Sequence, residues 1–449
     1  MKCVVLVPGI LGSELVDSNH RTTVWPPTVW EMVRGYKRIG SLLANGLQPN
    51  GLIRKIAFYG VYESIQDDIG RCGYTINDPA KRLIEFSYDW RRSNADSARK
   101  LADRLNALED PTEITLIGHS MGGLVLRYLL ESGEFNDRPW FDKITTLITM
   151  GTPHFGSPNA LSNLLGKEPS LGVSGADMLK LAHDSRYPSV YQLIASPQTA
   201  LTISGPRHGS IPQKLDPFSP GIAAGMSLNA QNIQSARKFW DELGFEKKPD
   251  HVEYFFFGGA AHKTTVRNEW EKSTGTLTPV ERRQAGDGTV PVTCSIVPGI
   301  PHGFSEKKHA KIFEDRDLRE LLYKFLEAPA GVRPQAAGAD GDVGQPDAVG
   351  LSVNKETYRV GESIEIAASY TNPITDPEEY LSIVKIDVDT RQPDEATPAI
   401  PIDAVFKGVT LTSFTIVTNV NLTPGIYQLT TTRTTDDPAP AYFFVNGDE

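Results

Sequence analysis

The pentapeptide Gly118-His119-Ser120-Met121-Gly122 sets a hydroxyl between two glycines, the residue set of an acyl-transfer nucleophile. Alone, such a pentapeptide is cheap, and its flanks give it weight. Residues 113–117 read as a buried strand leading in, and residues 124–130 as a helix leading out, the strand–turn–helix of a nucleophile elbow. Gly118 and Gly122 lack a Cβ, which lets strand and helix close around a strained serine, and the helix N-terminus favours developing negative charge. The bland alternative is a small-residue turn without chemistry.

Serine is a poor nucleophile at its own pKa and needs a histidine base, which an acid orients and stabilises as imidazolium. In a fold of this kind the partners follow in the order serine, acid, histidine. Asp287, between Gly286 and Gly288, is the candidate acid, although Asp-Gly is also a common turn dipeptide. Of the two later histidines, His309 is the candidate base because it immediately precedes the final helix, whereas His302, between Pro301 and Gly303, reads as an exposed turn residue. His119 is expected to pack beside the nucleophile. His154 and His262 lie near strand ends that should open onto the pocket but precede Asp287, so they are expected to be pocket wall or structural hydrogen-bonding groups.

An oxyanion needs preorganised donors, one from the residue after the nucleophile and one from a loop after an early strand. Met121 N–H is the first. The second is assigned to Ile10, with Leu11 next, in Pro8-Gly9-Ile10-Leu11-Gly12, unless that segment merely ends the strand. The three cysteines, Cys3, Cys72 and Cys294, are far apart, lack metal-ligand spacing and are expected to be free thiols. No pattern asks for a metal or cofactor.

The elements that must hold these groups indicate an α/β class. Through residue 328, apolar runs at 3–7, 55–58, 83–86, 114–117, 144–149, 252–257 and 295–297 alternate with helical stretches, among them 97–108 and 318–326, and a hairpin is expected before Asp287. Residues 15–48, rich in Trp, Tyr and Pro, and 157–250, with only short helical pieces, interrupt the alternation and suit cap or lid insertions. Residues 329–350 read as a flexible linker. Residues 351–449 read as a small all-β, immunoglobulin-like sandwich with strand candidates at 363–370, 383–388, 409–420, 425–433 and 442–445. A net charge of −10 over 449 residues argues against a nucleic-acid partner, and no window is long and apolar enough to span a bilayer. Residues 2–7 already read as a strand, leaving no room for a leader, so the expectation is a cytoplasmic protein.

Taken together, the segments 7–13, 88–91 (Tyr-Asp-Trp-Arg), 118–123, 151–157 and 286–291 resemble the lecithin:cholesterol acyltransferase family of α/β-hydrolases, which includes phospholipid:diacylglycerol acyltransferases and lysosomal phospholipase. The resemblance covers residues 1 to about 328. It implies a Ser120/Asp287/His309 triad, an oxyanion hole at Ile10 and Met121, and an acyl-enzyme formed from a lipid ester and resolved by water or an alcohol. It also implies that residues 88–91 are scaffold beside the pocket. Secreted members hold the early lid with a disulfide, and residues 15–48 contain no cysteine.

Within that lid, Trp25, Trp30 and Met32 would line an acyl channel. With Arg34, Lys37 and Arg38 following, the segment suits either transient contact with a membrane surface or a cap that packs its aromatics over the sheet, and the residues leave both open. The expected function is therefore a serine esterase or lipase, with O-acyl transfer as the close variant. The alternative is a non-catalytic lipid- or partner-binding protein on a hydrolase scaffold. The C-terminal sandwich, without histidine or cysteine, suits docking to a protein partner.

Overall fold

Continuous apolar strands can be buried on both faces only in a parallel sheet covered by helices, and such a sheet forms here. In the computed structural model six parallel strands, β1 (Lys2–Val7), β2 (Lys81–Glu85), β3 (Glu113–His119), β4 (Ile144–Met150), β5 (Glu253–Gly259) and β6 (His302–Ser305), pair in the order β6-β5-β4-β3-β1-β2. The order reverses direction between β1 and β3, the position where open α/β sheets bind ligands beyond their strand C-termini. The structure describes residues 1–449 except 20, 57–58, 167–172, 195–200, 204–213, 335–348, 356, 389, 391, 432–440 and 448–449.

Val4 and Leu6 of β1 join one core with Tyr62, Ile65 and Ile69 and with Phe313, Leu318 and Leu322. These partners belong to, or adjoin, α1 (Glu63–Arg71) and α4 (Arg316–Phe325). Those two helices are locked together by the buried Arg319–Asp68 pair, at 2.6 and 2.8 Å, and by the Tyr323 hydroxyl on the same carboxylate at 2.8 Å. Cys3, Val5 and Val7 have the opposite parity along the strand. Helices α2 (Asn94–Asn106) and α3 (Met121–Glu131) complete the layers.

Two strand expectations need correction. The sixth strand is His302–Ser305, not residues 295–297; Val292–Ser295 is a short helix. Gly303 can run along β5 because it has no Cβ, which would meet the Phe257 ring at 2.8 Å, so a Pro and Gly pair typical of a turn here permits a tight edge strand. His302 is exposed as expected, but on that strand. Lys55–Ile56 pairs only with Tyr59–Gly60, outside the central sheet, and residues 57–58 lie outside the described residues. The early insertion builds its own antiparallel sheet from Ser13–Asp17, Thr22–Trp25 and Leu47–Leu52. The later one includes Ala230–Glu242, longer than the short helical pieces expected, with Asn229 capping Gln231 and Asn232 N–H groups. The expected hairpin is present as His262–Glu271 and Thr276–Gly286.

The described residues divide into two compact units: Met1–Pro26, Arg38–Glu168 and Gly175–Pro334 form one, and Pro27–Lys37, Pro169–Ser174 and Gln335–Glu449 the other. In the second unit, Val349–Val353, Ile364–Thr375 and Thr410–Thr418 form one antiparallel sheet. Thr357–Arg359, Ala441–Asn446, Gly425–Thr431, Glu378–Ile386 and Ile400–Val405 form another. Ile364 and Ile366 from the first sheet share a core with Leu381, Ile383, Leu429 and Phe443 from the second, a two-sheet sandwich. Ile400–Val405 was not legible as a strand because Pro401 interrupts it, and it occupies a sheet edge, where a proline is tolerated. No helix among the described residues is long and apolar enough to cross a membrane.

Candidate active site

Ser120 sits between β3 and α3 with φ 51° and ψ −126°, a conformation that costs a non-glycine residue about 1–3 kcal/mol and persists only where its surroundings hold it. They hold it from three sides. Its N–H donates to the Met150 carbonyl at 2.9 Å, while its own carbonyl accepts from Gly123 N–H at 3.1 Å and the Thr152 hydroxyl at 2.9 Å. Thr152 lies in the 151–157 segment, and its hydroxyl type is the only sequence signal of this role. A Cβ on Gly123 would stand 2.1 Å from Thr152 Oγ1, which is why the helix can lie against that hydroxyl.

Asp287 lies in the turn after the long hairpin and is buried. Its Oδ1 accepts from Thr289 N–H at 2.9 Å and Val290 N–H at 2.7 Å, while Oδ2 is 2.7 Å from His309 Nδ1. Burial opposes ionisation of this carboxyl, yet His309 and the two backbone donors together hold it below the ordinary carboxylate range. His309 Nε2 is 2.9 Å from Ser120 Oγ, so the three side chains form one continuous hydrogen-bonded series. The His309 N–H also donates to the Asp287 carbonyl at 2.9 Å, fixing backbone to backbone. Two glycines make room for the series. A Cβ at Gly151, whose φ is 60°, would lie 3.0 Å from both Asp287 Oδ2 and His309 Nδ1, and one at Gly259 would lie 2.3 Å from Asp287 Cβ.

Ile10 and Met121 lie in the two segments that flank this series. Gly9 packs so closely on Ser120 that a Cβ there would be 2.8 Å from Ser120 Cβ, and Gly12 N–H donates to the Gly9 carbonyl at 3.1 Å, closing a turn around Ile10 and Leu11. Leu11 takes φ 64° in that turn. Tyr88 holds the same turn from below, its hydroxyl donating to the Pro8 carbonyl at 2.9 Å. Asp89 and Arg91 form a buried ion pair at 2.7 Å, and the guanidinium reaches the Leu42 and Ala44 carbonyls, tying the early insertion to the sheet.

The remaining candidates are distributed as follows. Trp25 is fully buried, edge-on to Trp90 at 5.3 Å, and its indole N–H donates to the Leu11 carbonyl at 2.8 Å. Trp30 and Met32 belong to the second compact unit, on a helix (Val29–Arg34) with a Thr28/Glu31 capping box. There Trp30 is 41% exposed under the Arg34 guanidinium and Met32 is buried. His154 stacks on Phe256 at 3.8 Å, its Nε2 is 3.0 Å from the Thr149 hydroxyl, and none of these partners belongs to the triad series. His262 Nε2 donates to the Glu306 carbonyl at 2.9 Å, in the loop before His309. Cys3, Cys72 and Cys294 are free and buried, and burial pushes the Cys72 and Cys294 thiols up to about 12. Among the described residues no cluster of His, Cys, Asp or Glu could hold a metal ion.

His119 is neutral for a reason that carries a consequence. Burial lowers its ring to about 3, the nearby His309 adding to the effect, and burial likewise holds His154 well below its ordinary value, with Arg127 contributing. In the unfolded chain both titrate near 6.5, so below that pH the unfolded state binds protons that the folded state refuses. Stability should therefore fall as pH drops from about 6.5 toward 3, each ring contributing up to roughly 1.4 kcal/mol per pH unit. Thermal melts across that range check this; an unchanged melting temperature from pH 6.5 to 4 would contradict it.

Residues 45–171, which include Ser120 and stop before Asp287 and His309, match the family model described as lecithin:cholesterol acyltransferase. Over that segment, under half of its length, the chain is similar to the lecithin:cholesterol acyltransferase family. The chain is also 37% identical over 83 residues to the GPI inositol-deacylase of Coccidioides immitis (strain RS), a segment covering 18% of this chain and 6% of the relative. An uncharacterized protein of Saccharomyces cerevisiae (strain ATCC 204508 / S288c) is 26% identical over 175 residues, covering 36% of this chain and 24% of that protein. The matched segments thus span a small part of these relatives. Among solved structures, the metagenomic carboxyl esterase MGS0156 aligns with TM-score 0.29 and 14% identity over 69% of this chain and 64% of its own. A Listeria innocua protein, the lin2722 product, aligns with TM-score 0.30 and 13% identity over 74% and 97%.

Proposed function

We propose that this chain is a serine hydrolase of carboxylic esters, lipid esters foremost, that works through an acyl-enzyme on Ser120. The observation that carries the reading is the unbroken series Ser120 Oγ, His309 Nε2, His309 Nδ1, Asp287 Oδ2, with contacts of 2.9 and 2.7 Å, at the carboxyl edge of a parallel sheet. His309 Nε2 takes the hydroxyl proton as Oγ attacks the ester carbonyl, and Asp287 steadies the resulting imidazolium. The oxyanion forms against Ile10 and Met121 N–H. Collapse expels the alcohol, which takes the proton from His309, and water, deprotonated by the same ring, then releases the acid. An acceptor hydroxyl in place of that water would make the product a new ester. Similarity to proteins named as deacylases supports acyl esters as the substrate class.

On the same reading, the Val29–Arg34 helix with its exposed Trp30 contributes a transient lipid-surface contact, and the C-terminal sandwich serves docking. A fluorophosphonate probe tests the core of the proposal. It should label folded wild-type protein at Ser120 and leave Ser120→Ala unlabelled. Folded wild-type protein that stays unlabelled would favour a non-catalytic binding role and sink the enzyme reading.

A further inference from the structure

Tyr62 and His119 take no part in the chemistry proposed above, yet both are buried and both are tied to it. Tyr62 Oη accepts the Gly9 N–H at 2.7 Å and lies 2.8 Å from His119 Nδ1, while His119 Nε2 lies 3.0 Å from the His309 carbonyl oxygen. The directions of these bonds follow from the groups involved. A carbonyl only accepts, so His119 must carry its proton on Nε2. The neutral ring then has a bare Nδ1, which must accept, so the Tyr62 hydroxyl donates to it. Tyr62 can do so because its own lone pair is taken by an N–H, leaving the hydroxyl proton free. The result is one directed chain, Gly9 N–H to Tyr62 Oη–H to Nδ1 of His119, and His119 Nε2–H to the backbone of His309.

That chain joins the two halves of the site. At one end, Gly9 is pressed against Ser120 and opens the turn that contains Ile10. At the other, the His309 backbone is gripped twice, its N–H by the Asp287 carbonyl and its C=O by His119. Aromatic packing holds the relay rigid: Tyr62 stacks on Phe313 at 5.7 Å, and His119 meets the Phe313 ring edge-on at 5.5 Å. Burial keeps the His119 ring neutral, so the direction of the chain does not reverse over the pH range in which an esterase would be assayed.

We propose that Tyr62 and His119 are positioning residues that keep the oxyanion turn and the His309 backbone in register with Ser120. The inference rests on the serine-hydrolase reading. A misplacement of about 1 Å between reacting groups costs on the order of 100-fold in rate, so losing the relay should appear in kcat and spare substrate binding.

Tyr62→Phe removes one oxygen, His119→Phe removes both ring nitrogens while keeping an aromatic ring, and His119→Gln returns an N–H near the Nε2 position. With p-nitrophenyl butyrate, Tyr62→Phe and His119→Phe should lower kcat by about 10- to 100-fold with KM within about twofold of wild type. His119→Gln should recover most of the loss seen in His119→Phe, a rescue that a purely space-filling role would not produce. Thermal melts verify folding; if His119→Phe does not fold, Tyr62→Phe against wild type decides alone. Tyr62→Phe with kcat within twofold of wild type, a loss confined to KM, or a folded His119→Gln no better than a folded His119→Phe would each overturn the relay. Fluorophosphonate labelling of wild type separates this failure from that of the enzyme reading: labelled wild type with an unimpaired Tyr62→Phe sinks only the relay, whereas unlabelled wild type sinks both.

Discussion

Asp287→Asn should lower kcat by about four orders of magnitude, roughly 5 kcal/mol of barrier, while leaving the protein folded. The size of the effect comes from hydrogen-bond direction. Asp287 Oδ1 receives two backbone N–H groups, from Thr289 and Val290, so in the variant the side-chain oxygen must stay there and the NH2 must face His309. An NH2 only donates, which forces His309 Nδ1 to become the acceptor and moves the ring proton to Nε2. That proton then points at Ser120 Oγ, 2.9 Å away, and the base has no lone pair for the serine. The loss should fall on kcat in a soluble ester assay, with thermal stability little changed. An activity within tenfold of wild type would mean that Asp287 does not set the tautomer.

The second large effect concerns folding. Gly122 lies where α3 crosses the end of β1, and a Cβ there would stand 2.3 Å from the Val7 carbonyl oxygen and 2.5 Å from that of Pro8. Both are backbone atoms, one at the end of β1 and one in the turn that follows it, so no side chain can swing aside, and the helix must move off the sheet. Gly122→Ala should cost at least about 3 kcal/mol, the upper end of overpacking penalties. Urea unfolding measures it. Gly70→Ala is the control, because the residue sits in α1 and nothing lies within 4 Å of the point its methyl group would occupy. It should be neutral or stabilising by up to about 1 kcal/mol, since alanine is the better helix former. Equal stability of the two variants would contradict the steric account.

The sequence made the Ser120 elbow and the parallel sheet legible because both are local: a strand, a glycine turn and a helix adjacent in the chain. Asp287 and His309 were legible only through the order that such a fold imposes. Tyr62 was not legible at all. It sits 57 residues from His119 in a stretch without a motif, and its role exists only once α1 and β3 are packed together. His302–Ser305 and Ile400–Val405 were missed for a related reason. Each is an edge strand, where pairing partner and steric clearance at Gly303 or tolerance of Pro401 outweigh local propensity. Trp25 carries the same lesson for side chains, since aromatic character alone could not name Trp90 as the ring it meets edge-on.

The Asp68–Arg319 pair spans 251 residues, and the Ser120–His309 contact spans 189. Synthesis proceeds from the N-terminus, so a growing chain has made Ser120 long before His309, and α4, which follows His309, can dock on α1 only after both exist. Closing loops of that length is slow relative to forming local helices. Ester hydrolysis would thus be silent in every truncated or half-folded form that lacks the last helix. Its return during refolding would time the final docking step rather than the first collapse.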